Sequence, residues 1–309
     1  MDAHHVPVLL EETLGFLAPE RRPGGLFVDA TLGLGGHAEA LLTRAPEARL
    51  LGLDRDPQAL ALAQRRLAPF GDRVLLEQAV FDQLDAVLDR RSLGPVAGVL
   101  ADLGVSSLQL DVAERGFSFR RDGPLDMRMG SAGLTAADLV NESSEEELER
   151  IFREYGEERQ ARRIARAIAR ARAEAPITTT GQLKSLIDRI KSWSPHAEKI
   201  DPATRVFQAL RIEVNQELAA LSALIDQTVR QMEPDGRLVI ISYHSLEDRI
   251  VKNRMRELSQ GEVDQITGQS RSETRLIETL TRKPVRPTDE EIAFNPRSRS
   301  AKLRAARRI

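Results

Sequence analysis

Val28-Asp29-Ala30-Thr31-Leu32-Gly33-Leu34-Gly35-Gly36-His37 reads as the end of a buried strand, a glycine-rich turn and the start of a helix. Leu50-Leu51-Gly52-Leu53-Asp54 follows as a second apolar run closed by an acid. Gly33 and Asp54 lie 21 positions apart, close to the spacing of a nucleotide-binding βαβ unit. Glycines let the backbone approach a ligand and adopt φ > 0. An acid at the tip of the second strand accepts hydrogen bonds from both hydroxyls of a ribose.

The turn is Gly-x-Gly-Gly-His and departs from the Gly-x-Gly-x-x-Gly of dinucleotide sites. Asp29 stands four residues before the first glycine, where a carboxylate repels a pyrophosphate but holds an ammonium group. S-adenosylmethionine carries a ribose and an α-amino group and no phosphate. The residue types favour it over NAD, and a turn that only lets a helix pack on a sheet stays open beside both.

Further out, strand candidates at 26–31, 49–54, 73–77 and 96–103 alternate with helices near 36–44, 57–68 and 82–90. A short amphipathic helix at 7–18 precedes them, its apolar face made by Val8, Leu9, Leu10, Leu14 and Leu17. This order implies a parallel, doubly wound α/β sheet. Asp56-Pro57 suits a helix start, with Asp56 as N-cap. From about 135 to 230 the signals are all helical. Thr135 begins one helix, and Ser144 leads another with Glu147 as its capping-box partner. An arginine-rich helix spans 157–174, a further one about 181–191, and 203–231 reads as the longest helical run. Strand character returns at Gly236–Ser242, after the turn Glu233-Pro234-Asp235-Gly236. The stretch 257–279 is polar and is expected to include a mobile loop, while Leu280–Arg286 and Lys302–Ile309 read as a closing antiparallel pair. The expected organisation is one α/β domain, residues 1–110 and 216–309, interrupted by an all-helical insertion at 111–215.

The chain of 309 residues is 41% apolar, enough for a real core. Its net charge of −2 argues against a uniformly basic nucleic-acid binder and makes local charge the informative quantity. The absence of cysteine excludes disulfides, cysteine-ligated zinc and thiolate nucleophiles. The five histidines show no metal-ligand spacing, so no metal site is expected. No run approaches the length of a membrane span and no apolar signal region opens the chain, so a cytoplasmic protein without a membrane partner is the expectation.

Asp102 closes the fourth strand and, like Asp54, is expected at the ligand-binding end of the sheet. The segment 114–129 interleaves Phe117 and Phe119 with four arginines, a composition that suits bases stacked on rings and phosphates held by guanidinium groups; a small packed core is the competing reading for the two rings. Arg159, Arg162, Arg163, Arg166, Arg170 and Arg172 fall within 14 residues without an acid, around an apolar face of Ile164 and Ile168. That helix is a candidate for a nucleic-acid backbone, or else a solvated face paired with nearby glutamates. Tyr243 and His244 follow the fifth strand, again at the ligand end, and His244 is equally readable as a helix-start residue.

Several segments together resemble the bacterial ribosomal small-subunit RNA (cytosine-N4) methyltransferase family, known as RsmH or MraW. They are His5-Val6-Pro7-Val8-Leu9-Leu10, Asp29–His37, Asp54-Arg55-Asp56-Pro57, Asp102-Leu103-Gly104-Val105-Ser106-Ser107 and 114–129, extended by Tyr155-Gly156-Glu157-Glu158, Arg205–Arg211 and His244–Arg249. They run in order along nearly the whole chain, and 255–280 is the least family-like part. The resemblance implies a Rossmann-like S-adenosylmethionine-dependent methyltransferase fold with an inserted all-helical domain. It implies methyl transfer to N4 of a cytidine in the decoding region of small-subunit rRNA, within the assembled small ribosomal subunit; homodimerisation is left open. It also implies cofactor contacts from Gly35, Gly36, His37, Asp54, Phe81, Asp102 and Gln109. Asp102 is the expected catalytic residue, with the backbone carbonyls just after it as the other candidates, because an acceptor at the amine hydrogens favours a more nucleophilic nitrogen. Phe117, Phe119, Arg163, Arg166, Arg170, Tyr243 and His244 are the expected substrate contacts. The lack of cysteine removes the C5-methylation route, which needs a thiolate on C6.

Overall fold

The computed structural model describes residues 7–191, 201–262 and 272–309. His5, Val6 and residues 263–271 of the polar stretch lie outside the described residues. The chain divides into two compact units, one made of Met1–Gly104 with Leu218–Ile309 and the other of Val105–Glu217. The sequence places these divisions at 110 and 215.

In the first unit the strands are β1 (Leu26–Asp29), β2 (Arg49–Asp54), β3 (Val74–Gln78), β4 (Val96–Asp102), β5 (Met232–Ser242), β6 (Ile277–Thr279) and β7 (Lys302–Arg308). They form one sheet in the order β3-β2-β1-β4-β5-β7-β6, parallel through β5, with β7 antiparallel to both neighbours. This is the Rossmann-like doubly wound sheet expected of the βαβ rhythm. The helices before the second unit are α1 (Leu10–Leu17), α2 (Gly36–Arg44), α3 (Pro57–Leu67) and α4 (Leu84–Arg91). Those of the second unit are α5 (Ser107–Asp111), α6 (Ala136–Glu142), α7 (Glu145–Glu154), α8 (Ala161–Glu174), α9 (Thr180–Ile190) and α10 (Pro202–Asn215). The chain returns to the first unit through α11 (Glu217–Gln231), α12 (Ser245–Gln260) and α13 (Asp289–Phe294).

Alternation along the strands feeds two cores. Leu26, Val28, Leu51, Leu53, Val99 and Leu238 pack on one side with Leu84 and Leu88 of α4, Leu221 and Leu224 of α11 and Val251 of α12. Phe27, Leu50, Leu100, Val239 and Ile241 pack on the other with Leu14 and Leu17 of α1, Leu41 and Leu42 of α2, and Leu67 of α3. A sheet covered on both faces needs apolar residues at both parities, which is why these strands read as continuous apolar runs. Asp56 caps α3 through the Gln58 N–H at 3.0 Å, with Pro57 in its first turn.

Four expectations are corrected. The run 203–231 is two helices, because Gln216 turns left-handed at φ 51° and ends α10. The strand expected from Gly236 begins at Met232, and the turn residues 233–236 sit within it as an irregularity of register against β4. Residues 280–286 do not form a strand with 302–309. Pro284 has no N–H to donate; the backbone of the stretch meets that of β7 at two points, the Leu280 N–H on the Ala305 carbonyl and Val285 bridged to Leu303, while the continuous ladders of β7 are with β5 and β6. The arginine-rich helix also starts later than 157, at Ala161, after Glu157 at φ 48°.

The second unit has its own core, in which Ile164, Ala165 and Ile168 of α8 meet Leu148 and Phe152 of α7, Leu183 and Ile187 of α9, and Val206 and Leu210 of α10. Asn215 pins the 114–129 segment into it, accepting the Met129 N–H at 2.9 Å and donating to the Met127 carbonyl at 2.8 Å. Among the described residues no helix is long and apolar enough to cross a membrane.

Candidate active site

β2, β1 and β4 are parallel neighbours, and each ends in an aspartate: Asp54, Asp29 and Asp102. The strand order reverses between β1 and β4, the place where open α/β sheets bind ligands outside their carboxyl ends. Asp29 is level with Gly52 and Leu100, so it lies two residues deeper than the other two acids. It is 3% exposed, and its Oδ1 accepts the Thr31 N–H at 3.2 Å. Burial, reinforced by the charges of Asp102 and Asp54, pushes its pKa from an ordinary 3.8 to about 7. A cation placed beside it would favour the ionised form.

The Asp54 carboxylate closes on the glycine turn. Its Oδ2 accepts the Gly33 N–H at 2.7 Å and its Oδ1 the Asp56 N–H at 2.8 Å. Burial raises its pKa against the pull of those two N–H groups. A carboxylate offers about four acceptor positions, so both oxygens retain capacity for hydroxyl donors. Gly35 caps α2 at φ 76°, a conformation that glycine takes without strain. A Cβ on Gly36 would stand 2.6 Å from Cγ of Pro7, so only glycine fits there.

His37, in the first turn of α2, is buried with Nε2 at 3.0 Å from the Val8 carbonyl oxygen. Burial pushes its pKa down to about 4, so the ring is neutral at physiological pH and Nε2 carries the proton donated to Val8. Nδ1 is then an acceptor, 3.8 Å from Oδ2 of Asp102. Two acceptors facing one another suit an ammonium or amine donor between them.

Asp102 is held on two further sides. Its N–H donates to Thr31 Oγ1 at 2.6 Å, and its Oδ1 accepts the Tyr243 O–H at 2.7 Å. Burial and the adjacent charge of Asp102 hold the Tyr243 phenol well above the usual tyrosine range, so it remains a donor. The Tyr243 ring lies against Gly104, where a Cβ would stand 3.4 Å from Cδ2. Glu247, 2% exposed, accepts the Tyr243 N–H at 2.8 Å and the His244 N–H at 3.3 Å through Oε2. His244 is the N-cap of α12, with Nδ1 3.4 Å from the Glu247 N and Nε2 3.0 Å from Glu247 Oε1.

The structure thus gathers Gly35, Gly36, His37, Asp54 and Asp102 at one end of the sheet. Phe81 follows β3, half-buried against the core beside α4. Tyr243 and His244 are tied to Asp102 and to the α12 cap. The remaining residues belong to the second unit. Gln109 is buried and forms a capping box with Ser106. Phe117 is buried in the helical core, and Phe119 meets Phe207 edge-to-face at 4.9 Å. Arg163 and Arg170 are exposed and have no ion-pair partner among the described residues, while Arg166 lies 3.3 Å from Glu145. Sequence reasoning missed Thr31 and Glu247. The second was findable, since His244-x-x-Glu247 has capping-box spacing.

The model of the MraW methylase family matches residues 2–309. A "Ribosomal RNA small subunit methyltransferase H" of Symbiobacterium thermophilum is 50% identical, covering 99% of this chain and 96% of its own. A protein of the same name from Geotalea uraniireducens is 49% identical over 100% of this chain and 99% of its own.

Asp29 sets a pH dependence. Between the unfolded pKa near 3.8 and the folded value of about 7, the folded chain binds more protons than the unfolded one, so stability falls as pH rises through that window. Asp29→Asn carries no such loss. Its melting temperature should gain on that of the wild type from about pH 5 to about pH 8; a constant difference across that range would show that Asp29 ionises normally.

Proposed function

The chain belongs to the MraW methylase family, and on that footing we propose that it methylates N4 of a cytidine in the decoding region of small-subunit rRNA, within the assembled small subunit. Relatives named for small-subunit rRNA methylation, at about half identity over nearly their whole length, support the substrate. The observation that carries the chemistry is the trio Asp29, Asp54 and Asp102 beside the glycine turn, which suits a cationic ligand with vicinal hydroxyls and opposes a pyrophosphate. S-adenosylmethionine meets that description and supplies a sulfonium-activated methyl group when bound.

Each residue has a derivable task. Asp54 accepts from the ribose hydroxyls while holding the turn through Gly33. Gly35 supplies the left-handed turn that opens α2, and Gly36 lets Pro7 close against the backbone of that turn. Neutral His37 and the Asp102 carboxylate offer acceptors to an amine or ammonium, and Asp29 adds negative charge beneath them. A cytosine amine is a poor nucleophile because its lone pair is delocalised into the ring. Asp102, accepting one of its N–H groups, favours a pyramidal nitrogen, and the remaining contribution is positioning. The target base has to leave its stack to reach such a site. Arg163, Arg166 and Arg170 project from α8 and are suited to phosphates of the rRNA backbone.

The deciding experiment is tritium transfer from labelled S-adenosylmethionine to naked small-subunit rRNA, the small subunit and the complete ribosome, followed by nucleoside analysis. N4-methylcytidine formed on the small subunit is the expected result; label in another nucleoside would overturn the assignment. Asp54→Ala should weaken S-adenosylmethionine binding by about 1.5–3 kcal/mol through loss of charge-assisted hydrogen bonds. Calorimetry showing unchanged affinity would remove Asp54 from the site. Neutralising Arg163, Arg166 and Arg170 together should lower RNA affinity and flatten its salt dependence by roughly 0.7–0.9 per lost phosphate contact. An unaltered salt slope would make α8 a solvated face.

A further inference from the structure

Resting on the methyl-transfer reading above, we propose that Tyr243 is a positioning residue, which with Glu247 behind it sets the orientation of the Asp102 carboxylate toward the substrate amine. Three observations carry this. Tyr243 donates its O–H to Oδ1 of Asp102 at 2.7 Å, across the end of the β4–β5 pair. That bond assigns Oδ1 to the phenol and turns Oδ2 to the His37 side, 3.8 Å from Nδ1. Tyr243 is in turn fixed from behind, because the buried Glu247 carboxylate takes the N–H groups of both Tyr243 and His244 where β5 passes into α12.

Asp102 is also held at its backbone, where its N–H meets Thr31 Oγ1 at 2.6 Å. The backbone contact locates the residue, and the phenol bond bears on the plane its carboxylate takes about the side-chain torsions. A carboxylate out of plane with the amine N–H accepts a poorer hydrogen bond, and reactions governed by positioning lose rate steeply with small displacements. Tyr243 itself stays protonated, and among the described residues its hydroxyl donates to Asp102, so it acts through that residue.

The test is Tyr243→Phe, alone and combined with Asp102→Asn, assayed for methyl transfer to the small subunit. Tyr243→Phe should lower kcat about tenfold, with KM for the small subunit within about twofold. Adding it to Asp102→Asn should cost nothing more, because the residue it positions is already disabled. An unchanged kcat in the single variant, or the same loss in both backgrounds, would overturn the proposal. A readout independent of turnover separates this from failure of the functional reading. The chain holds two tyrosines, Tyr155 and Tyr243, so Tyr155→Phe leaves the Tyr243 phenol as a lone absorbance probe. Its titration should move toward the ordinary tyrosine range when Asp102→Asn is added. A phenol indifferent to that change would sink the coupling whether or not any RNA is methylated.

Discussion

Three carboxylates on three adjacent strand ends are held apart by a spacing of only about 4.8 Å between strands. The first unit is organised around making that tolerable. β1 stops two residues short of its neighbours in register, so Asp29 sits below Asp54 and Asp102 rather than beside them. Asp54 spreads its charge over two backbone N–H groups, and Asp102 gives part of its charge to a phenol. Asp29, with one N–H at 3.2 Å, is the least compensated and the most buried, and it answers by keeping a proton into the neutral range. The glycine turn, the Thr31 side chain and the start of α12 are all parts of this arrangement.

Much of this was legible because it follows from local rules. Asp56-Pro57 had to begin a helix, and Gly33 to Asp54 had to span one βαβ unit. The apolar runs had to be parallel strands, since both faces needed covering. What escaped was non-local or competitive. Gln216 has no sequence mark that forbids a helix, and its left-handed turn is a tertiary choice. The partner of β7 could not be told from the nearest apolar stretch, because β7 has two edges and fills both, one with β5 and the other with β6 and the Val285 bridge. Tyr243 looked like a ring for stacking, and its hydroxyl turned out to be spoken for by a residue 141 positions away.

The 114–129 segment shows how composition misleads when geometry is unknown. Phenylalanines among arginines resemble a nucleic-acid surface, yet Phe117 enters the helical core and Phe119 packs on Phe207. Of the four arginines there, Arg115 engages the carbonyls of Arg128 and Met129, and Arg128 engages Asp126 at 2.7 Å, while Arg120 is exposed. The α8 arginines differ in having no acid interspersed among them, and Arg163 and Arg170 are exposed with no ion-pair partner among the described residues.

The interruption of the first unit has a consequence for how the chain is made. β4, a central strand, finds its second neighbour only in β5, and about 130 residues lie between them. At translation speeds of about 5–20 residues per second, the nascent sheet waits on the order of ten seconds with an apolar edge unpaired. The inserted helices have a core of their own and can fold during that interval. A newly made chain is therefore half-assembled for longer than its size suggests, and it is in that window that a chaperone, or a neighbouring nascent chain, would find an open strand to hold.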